Sequence, residues 1–293
     1  MTIYELLKSA EGILKGKSKS CQLDCEVLLS FILDKDKVYL LANREEEVEK
    51  ESEKKFLELV NKRAAGSPIS YLLNKKEFYS IDFFVNEDVL IPRPETEDLV
   101  DIAYKHILRL SKIKKRMKVI DVGTGCGNIC ITLINKVVKD RLNENCNFVF
   151  YLSDISGKAL NVARKNLNAI IKSLDNIKVN FVKTDLLKGI DTKLDIIVSN
   201  PPYIPDKDIE YLDKTVKDFE PQVALNGGEG GVELIKKLIS QATKRLTSEG
   251  ALIFEMHEDH PNIIKFFVQE NYSDFNPRFY KDSFKMWRFG EVS

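Results

Sequence analysis

The chain has 293 residues, of which 43% are hydrophobic, and its 45 Lys and Arg balance 45 Asp and Glu. This composition is typical of a globular protein with one large domain or a large and a small one. It argues against a transmembrane protein and against broad binding to phosphates. The five cysteines form no paired framework, and residues 1–20 lack the apolar core of a signal peptide, so we expect a cytoplasmic protein.

Residues 1–75 are predicted to form a small helical domain, because apolar residues recur at helical spacing. The predicted helices span residues 3–14, 23–33, 38–41 and 44–65. Gly66 and Pro68 mark the end of the last one. The segment is neutral, with 13 Lys and Arg against 13 Asp and Glu. We expect a substrate-docking domain, and a simple packing module is the alternative; Cys21 and Cys25 are more typical of a core than of a metal site.

Residues 76–93 change to the alternating pattern of short strands, which predicts a β-hairpin linking two domains. The prolines of the segment Pro92–Glu97 make it stiff and extended, and Thr96 is a candidate N-cap for the helix that follows. Such a segment is either a hinge or one wall of a binding site that carries Arg93 and Glu95.

Residues 94–293 alternate strands and helices, which predicts an α/β domain with a mostly parallel sheet. The first strand, at residues 119–122, runs into a glycine loop whose residues are candidates for cofactor binding: Gly123, Thr124, Gly125, Cys126 and Gly127. The third glycine of a dinucleotide fingerprint is replaced by Asn128. The loop therefore favours a ligand without a pyrophosphate, such as S-adenosylmethionine, over NAD.

Acidic residues follow the next two strands. Asp154 ends the second strand, where a carboxylate can accept both hydroxyls of an adenosyl ribose. Its alternative role is to cap the next helix. Asp185 and Leu186 follow the third strand, where an adenine base would lie. These positions extend the predicted cofactor site.

The fourth strand, Leu194–Ser199, ends at Asn200, Pro201, Pro202 and Tyr203. Proline cannot donate a ladder hydrogen bond, so the strand must end there, at the sheet edge where α/β proteins bind ligands. A rigidly held amide beside an aromatic ring suits the binding of a planar, amide-like group. Taken alone, Asn200 is more typical of a residue that initiates a turn before proline.

Together these motifs resemble class I S-adenosylmethionine-dependent methyltransferases, and within them the release factor glutamine-N5 methyltransferases (the PrmC or HemK family). The resemblance is carried by Ser67–Tyr71, Val89–Glu97, Asp121–Gly127, Asp154–Ser156, Val198–Ile204 and Glu220–Gly228. The Asn-Pro-Pro-Tyr motif occurs across enzymes that methylate amino groups of DNA, RNA and protein. The Ile91–Glu97 stretch is more specific and points to the release factor enzymes.

The resemblance implies a Rossmann-like, mostly parallel seven-stranded sheet and methyl transfer to the side-chain nitrogen of the glutamine in the Gly-Gly-Gln motif of class 1 release factors. The product would be S-adenosylhomocysteine, with no metal, no stable nucleic-acid binding and a monomeric enzyme. Asn200 and Pro201 would accept the two amide N–H groups, and Tyr203 would pack on the amide. Asn200 would also contact the cofactor. Arg93, Glu95 and Pro202 would complete the substrate site.

The sequence departs from the family pattern at Gly230, where an aspartate is expected, and at His257 and Ser283, where glycines are expected. Three alternatives remain open at this stage: a glutamine methyltransferase of a ribosomal protein, a base amino-group methyltransferase of RNA or DNA, and a non-catalytic cofactor-binding module. The basic run at residues 112–118 is the best support for the second. His257 and His260 are interpreted as surface loop residues rather than metal ligands, and residues 284–289 are predicted to form a final edge strand.

Overall fold

The computed structural model describes residues 1–293, which divide into two compact units. The helical unit contains Met1–Lys75 and Asp213–Phe219, and the larger unit contains Lys76–Leu212 and Glu220–Ser293. The return of residues 213–219 to the helical unit has no counterpart in the boundaries expected from the sequence. None of the helices combines the length and apolar character needed to cross a membrane.

The helices are α1 (Ile3–Leu14), α2 (Cys21–Leu33), α3 (Lys37–Ala42), α4 (Lys50–Ala64), α5 (Ile69–Leu72), α6 (Thr96–Ser111), α7 (Asn128–Lys139), α8 (Gly157–Ile170), α9 (Lys214–Lys217), α10 (Glu233–Ala242) and α11 (Pro261–Asn271). The strands are β1 (Lys76–Phe78), β2 (Ile81–Phe83), β3 (Arg116–Val122), β4 (Asn147–Asp154), β5 (Ile177–Lys183), β6 (Leu194–Ser199), β7 (Ile204–Pro205), β8 (Asn226–Gly228), β9 (Leu246–Glu255), β10 (Pro277–Lys281) and β11 (Trp287–Val292).

The helical unit packs α1, α2 and α4 around an apolar core that includes Leu6, Leu28 and Phe56, all fully buried. Helix α4 begins at Lys50 rather than near residue 44 as predicted. The reason is that residues 44–48 pair with the N-terminus: the Ile3 amide donates to the Glu46 carbonyl at 3.0 Å. Those backbone groups are therefore not available to a helix.

Residues 213–219 contact the helical unit through two separate points. The Lys19 ammonium lies 3.5 Å from the Asp213 carboxylate. Gly66, at a φ of 107°, lies against Phe219, and a Cβ on this glycine would come within 3.0 Å of the ring. Any side chain at residue 66 would therefore be strained in its backbone and crowded by Phe219.

A buried ion pair crosses the helical unit. The Arg63 Nε donates to Asp24 Oδ2 at 2.6 Å, and the two side chains are 12% and 6% exposed. Ser18 and Ser20 also donate to the Asp24 carboxylate, at 2.7 and 2.8 Å. Both carboxylate oxygens thus accept hydrogen bonds, which is the condition under which a buried charge is tolerated.

The larger unit is built on a seven-stranded sheet in the order β10-β11-β9-β6-β3-β4-β5. Strands β9, β6, β3, β4 and β5 run parallel, and β11 is antiparallel to both of its neighbours. Consecutive residues of β3 point to opposite faces of the sheet, so Val119 and Ile120 belong to separate apolar clusters. Because both faces are covered, the strands read as continuous apolar runs. This sheet confirms the predicted fold class.

Three local predictions in the larger unit were wrong. The hairpin of β1 and β2 turns at Tyr79 and Ser80 and ends at Phe83, so residues 84–91 are not a strand. The final strand, β11, begins at Trp287 and lies inside the sheet rather than at its edge. Thr96 is the first residue of α6 rather than its N-cap, and its hydroxyl bonds elsewhere.

Removing the Asp24 carboxylate should destabilise the helical unit, because Arg63 would be left mostly buried without its partner. We expect Asp24→Ala to lower the free energy of unfolding by about 3 kcal/mol. The measurement is urea unfolding followed by helical circular dichroism. The matched control is Glu51→Ala, which removes a carboxylate from the exposed Glu51–Lys55 pair and should change stability by less than about 0.5 kcal/mol. Equal effects of the two changes would contradict this interpretation.

Candidate active site

A cavity opens in the larger unit at the carboxyl ends of the parallel strands. Its walls come from the glycine loop after β3, the ends of β4, β5 and β6, and two further segments around residues 88–96 and 221–224. The predicted site residues that line it are Arg93, Gly123, Thr124, Gly125, Cys126, Asp154, Asp185, Leu186, Asn200 and Pro202. The fold thus brings together most of the predicted residues. Glu95, Gly127, Pro201 and Tyr203 are not among the lining residues.

The glycine loop presents bare backbone to the cavity. Gly123 and Gly125 have φ angles of 71° and 54°, and a Cβ on either would meet no atom within 4 Å. The loop is held in place because the amides of Gly123 and Thr124 both donate to the Ser153 carbonyl at 2.9 Å. A ligand can therefore approach the main chain closely at these two glycines.

Gly127 was predicted to bind the cofactor but does not line the cavity. It precedes α7, and a Cβ there would lie 2.7 Å from the Ile131 side chain and 3.2 Å from Ala163 on α8. This glycine allows the two helices to pack closely, and its contacts are with protein rather than with the cavity.

Two other loop residues are held by buried hydrogen bonds. The Thr124 hydroxyl donates to Asp121 Oδ2 at 2.7 Å. Burial raises the pKa of the Cys126 thiol to about 12, so this thiol is protonated and unreactive. Asn166, which the sequence analysis missed, donates to the Cys126 carbonyl at 2.8 Å and exchanges two hydrogen bonds with the Phe84 backbone. A buried asparagine in an otherwise apolar helix face was the available signal.

Asp154 uses both carboxylate oxygens to hold backbone. Its Oδ2 accepts from the Gly125 amide at 2.9 Å and its Oδ1 from the Ser156 amide at 2.8 Å. Burial raises its pKa. The N-cap of α8 is Ser156, whose hydroxyl accepts from the Ala159 amide, so capping by a side chain does not require Asp154. Each carboxylate oxygen keeps further acceptor capacity for a ligand hydroxyl.

Asp185 and Leu186 lie across the cavity at the end of β5. The Asp185 carboxylate accepts from Lys188 at 2.6 Å and from Lys237 at 2.8 Å, and these hydrogen bonds lower its pKa. Leu186 adopts a positive φ of 54°, which turns the chain at this wall. The carboxylate is therefore occupied by lysines.

The Asn-Pro-Pro-Tyr motif leaves β6 at the cavity rim. Asn200 Nδ2 donates to Thr96 Oγ1 at 3.2 Å. The Tyr203 hydroxyl donates to Glu255 Oε1 at 2.8 Å, and burial is the main reason why the pKa of this tyrosine is raised. A Cβ on Gly227 or Gly231 would collide with the backbone of the motif, so both glycines permit β8 and its loop to press against it.

Thr96 and Glu255 meet at the site, although neither was among the predicted site residues. The Thr96 hydroxyl donates to Glu255 Oε2 at 2.8 Å, and each residue is 1% exposed. Burial raises the pKa of Glu255, while its hydrogen bonds and the nearby Arg288 oppose the rise. No local pattern could have revealed this contact, because the two residues are 159 positions apart.

Arg93 is fixed against the cavity by Glu220, which was also not among the predicted site residues. The Arg93 Nη2 donates to Glu220 Oε1 at 2.6 Å, and the Ile91 amide donates to Glu220 Oε2 at 3.1 Å. Glu220 is 5% exposed. Glu95 occupies the N-cap position of α6 without a side-chain cap bond.

The three departures from the family pattern lie outside the helices and strands. Gly230 donates its amide to the Glu233 carboxylate, at 3.1 and 3.2 Å to the two oxygens. Ser283 lies in a turn closed by Asp282, which accepts from the amides of Phe284 and Met286. His257 follows β9 and lies 3.3 Å from Asp259.

Asp121 lies beneath the glycine loop and is fully buried. Its Oδ2 accepts from Thr124 and from the Cys130 amide, while its Oδ1 has no partner. Burial raises the pKa of this carboxyl from 3.8 to about 7, and the charge of Asp154 adds to the rise. Because the folded protein holds this proton more tightly than the unfolded chain, Asp121 destabilises the fold increasingly as the pH rises from 4 to 7.

We therefore expect Asp121→Asn, which keeps an acceptor for Thr124, to gain stability relative to the unmodified protein between pH 5 and pH 8. Thermal unfolding midpoints of the ligand-free proteins, compared at each pH, measure this difference. Asp185→Asn is the control. The pKa of Asp185 is lowered, so this carboxylate stays ionised throughout the range and no trend with pH is expected. A difference for Asp121→Asn that stays constant with pH would contradict the assignment.

Comparisons with known proteins match both parts of the chain. The PrmC N-terminal domain family matches residues 5–73, and the methyltransferase small domain family matches residues 96–219. The release factor glutamine methyltransferase of Bacillus cereus is 36% identical over 273 residues, covering 92% of this chain and 91% of that protein. The enzyme of the same name from Clostridium acetobutylicum is 38% identical over 266 residues, covering 89% and 88%.

Among solved structures, the ribosomal protein L11 methylase of Lactobacillus delbrueckii subsp. bulgaricus has a TM-score of 0.47 at 21% identity. That comparison covers 71% of this chain and 83% of that one. The two relatives named above share more than a third of their residues with this chain over nearly its whole length. The chain belongs to the release factor glutamine methyltransferase family.

Proposed function

We propose that this protein transfers a methyl group from S-adenosylmethionine to the side-chain nitrogen, N5, of the glutamine in the Gly-Gly-Gln motif of class 1 release factors. The observation that carries the proposal is the position of Asn200, on the wall of the same cavity as the glycine loop and Asp154. The family of the chain supports the choice of substrate. Release factors work in the cytoplasm, so the proposed substrate places the enzyme there, and we expect it to act as a monomer.

The residues of the cavity fit S-adenosylmethionine. Gly123 and Gly125 leave space for close approach to the main chain, and the Asp154 carboxylate keeps acceptor capacity for ribose hydroxyls. Leu186 offers an apolar contact for a base at the end of β5. The bound donor supplies an electrophilic methyl group.

The chain's contribution to the reaction is to align and desolvate a weak nucleophile. An amide nitrogen shares its lone pair with the carbonyl group, so both of its N–H bonds must be held to direct that lone pair. The Asn200 Oδ1 and the Pro201 carbonyl are the acceptors we assign to these two N–H groups, and Tyr203 packs on the flat amide. Such orientation is worth roughly 7–11 kcal/mol. The product nitrogen releases its proton to water, so no strong base is needed.

Arg93 and Glu220 support the wall that the incoming loop would contact. The short Arg93–Glu220 pair fixes the Ile91–Arg93 segment, because Glu220 also holds the Ile91 amide. We assign Arg93, Glu95 and Pro202 to the contact with the release factor loop, and the helical unit to its docking.

Asn200→Ala should abolish most methyl transfer and leave cofactor binding largely intact. The expected loss is at least ~100-fold in kcat, since a misplaced reacting group costs about that much. Single-turnover transfer of labelled methyl to a release factor measures the rate, and calorimetry measures S-adenosylmethionine binding. The exposed Asn145→Ala is the matched control. A variant that methylates at nearly the normal rate would show that Asn200 does not hold the amide.

The substrate is tested by offering labelled S-adenosylmethionine with one acceptor at a time: a class 1 release factor, the same factor with the Gly-Gly-Gln glutamine replaced by alanine, a large-subunit ribosomal protein, and ribosomal RNA. Label is expected only in the unmodified release factor. Label in the ribosomal protein or in RNA alone would replace the proposed substrate with that one.

Asp154→Ala should weaken binding of S-adenosylmethionine by at least ~10-fold, equivalent to 1.4 kcal/mol. The reason is the loss of the ribose acceptor together with the hydrogen bond that holds the Gly125 amide. Calorimetry gives the dissociation constant. The exposed Asp175→Ala removes a carboxylate outside the cavity and serves as the control. Unchanged affinity would move the ribose contact to another residue.

A further inference from the structure

Three hydrogen bonds connect Asn200 and Tyr203 through one buried carboxylate. Asn200 Nδ2 donates to Thr96 Oγ1 at 3.2 Å, and Thr96 Oγ1 donates to Glu255 Oε2 at 2.8 Å. The other carboxylate oxygen, Oε1, accepts from the Tyr203 hydroxyl at 2.8 Å. Both ends of the Asn-Pro-Pro-Tyr motif therefore rest on Glu255.

The direction of these hydrogen bonds follows from the chemistry of the groups. The hydrogen bonds from Thr96 and Tyr203 and the nearby Arg288 favour the charged form of Glu255. A charged carboxylate can only accept, so the Thr96 hydroxyl is the donor in its contact with Glu255. A hydroxyl has a single proton, and this one is then used. The Thr96 oxygen can consequently only accept in its second contact, and the group that donates to it must be the NH₂ of Asn200.

This constraint decides which way the Asn200 amide faces. With Nδ2 directed at Thr96, the carbonyl oxygen of the same planar amide is directed away from Thr96. Asn200 and Thr96 both line the cavity. A carbonyl on that side can accept a hydrogen bond from an incoming N–H group. The opposite orientation would present an NH₂ to another NH₂, which leaves both donors unpaired at a cost of about 1–3 kcal/mol each.

We propose that Thr96, held by Glu255, is a positioning residue that fixes the Asn200 side chain with its oxygen toward the substrate amide. The inference rests on the proposed function, because it assumes that the guest of the cavity is an N–H donor. It also explains why a hydroxyl residue stands at the first position of α6 without capping that helix.

The surroundings of Glu255 support its acceptor role. Arg288 on β11 lies near the carboxylate and favours its charged form, whereas Glu95 disfavours it. Arg288 is itself oriented by Asp282, which accepts from its Nε at 3.1 Å. The turn that closes β10 and β11 thus contributes to the same network.

The test compares Thr96→Val, which keeps the shape and removes the hydroxyl, with Thr96→Ser, which keeps the hydroxyl. We expect Thr96→Val to lower kcat for release factor methylation by ~10- to 100-fold, the range for a misplaced reacting group. The dissociation constant of S-adenosylmethionine should change by less than about twofold. Thr96→Ser should recover most of the rate. Thr96→Ala provides a second hydroxyl-free variant in case the valine does not fold.

A second readout does not depend on any substrate. The side-chain NH₂ of Asn200 gives a pair of signals in ¹⁵N-resolved NMR spectra, which can be assigned by their loss in Asn200→Ala. Donation to Thr96 should protect one of these protons from exchange with water. Exchange should be faster in Thr96→Val and close to normal in Thr96→Ser.

The two readouts separate the inference from the proposed function. If the unmodified protein does not methylate a release factor but Thr96→Val still exposes the Asn200 NH₂, the substrate assignment fails and the positioning role stands. If Thr96→Val and Thr96→Ser behave alike in both kcat and exchange, the positioning role is wrong, whatever the substrate. A loss of kcat with unchanged exchange would also overturn it.

Discussion

The site depends on one buried carboxylate to which two distant segments of the chain are hydrogen-bonded. Glu255 is buried at the end of β9, and each of its carboxylate oxygens accepts a hydrogen bond from a hydroxyl group in a different part of the chain. One hydroxyl comes from the start of α6 and the other from the loop after β6. A buried charge is tolerable only when its lone pairs are satisfied, so these two elements are held at fixed distances from the strand.

Prolines and glycines determine the course of the backbone around that carboxylate. Two prolines end β6, which prevents the strand from continuing past the cavity. Gly227 and Gly231 lie so close to the motif that no side chain would fit. On the other side, Gly123 and Gly125 leave open space instead of filling it. The same residue type thus closes one wall of the site and opens another.

Much of this arrangement could be predicted from the sequence, because its signals are local. The glycine loop, Asp154 and the Asn-Pro-Pro-Tyr motif each follow an apolar strand, and parallel strands bring their ends to one edge. The partners of these residues are not local. Thr96 was predicted to cap a helix, because its hydrogen-bond partner Glu255 is 159 positions away in the sequence. Glu220, which holds Arg93, is 127 positions away from it. The strand order that places β11 inside the sheet likewise depends on pairing between distant segments.

The packing of residues 213–219 with the helical unit has a consequence for how such proteins can be recombined. The chain leaves the larger unit after Leu212 and returns at Glu220. Asp213 and Phe219 meet Lys19 and Gly66 on the way. An exchange of residues 1–75 alone between two relatives would therefore leave this short segment facing helices it did not evolve with. A functional chimera would have to carry both residues 1–75 and residues 213–219, because the helical unit is made of two separate pieces of sequence.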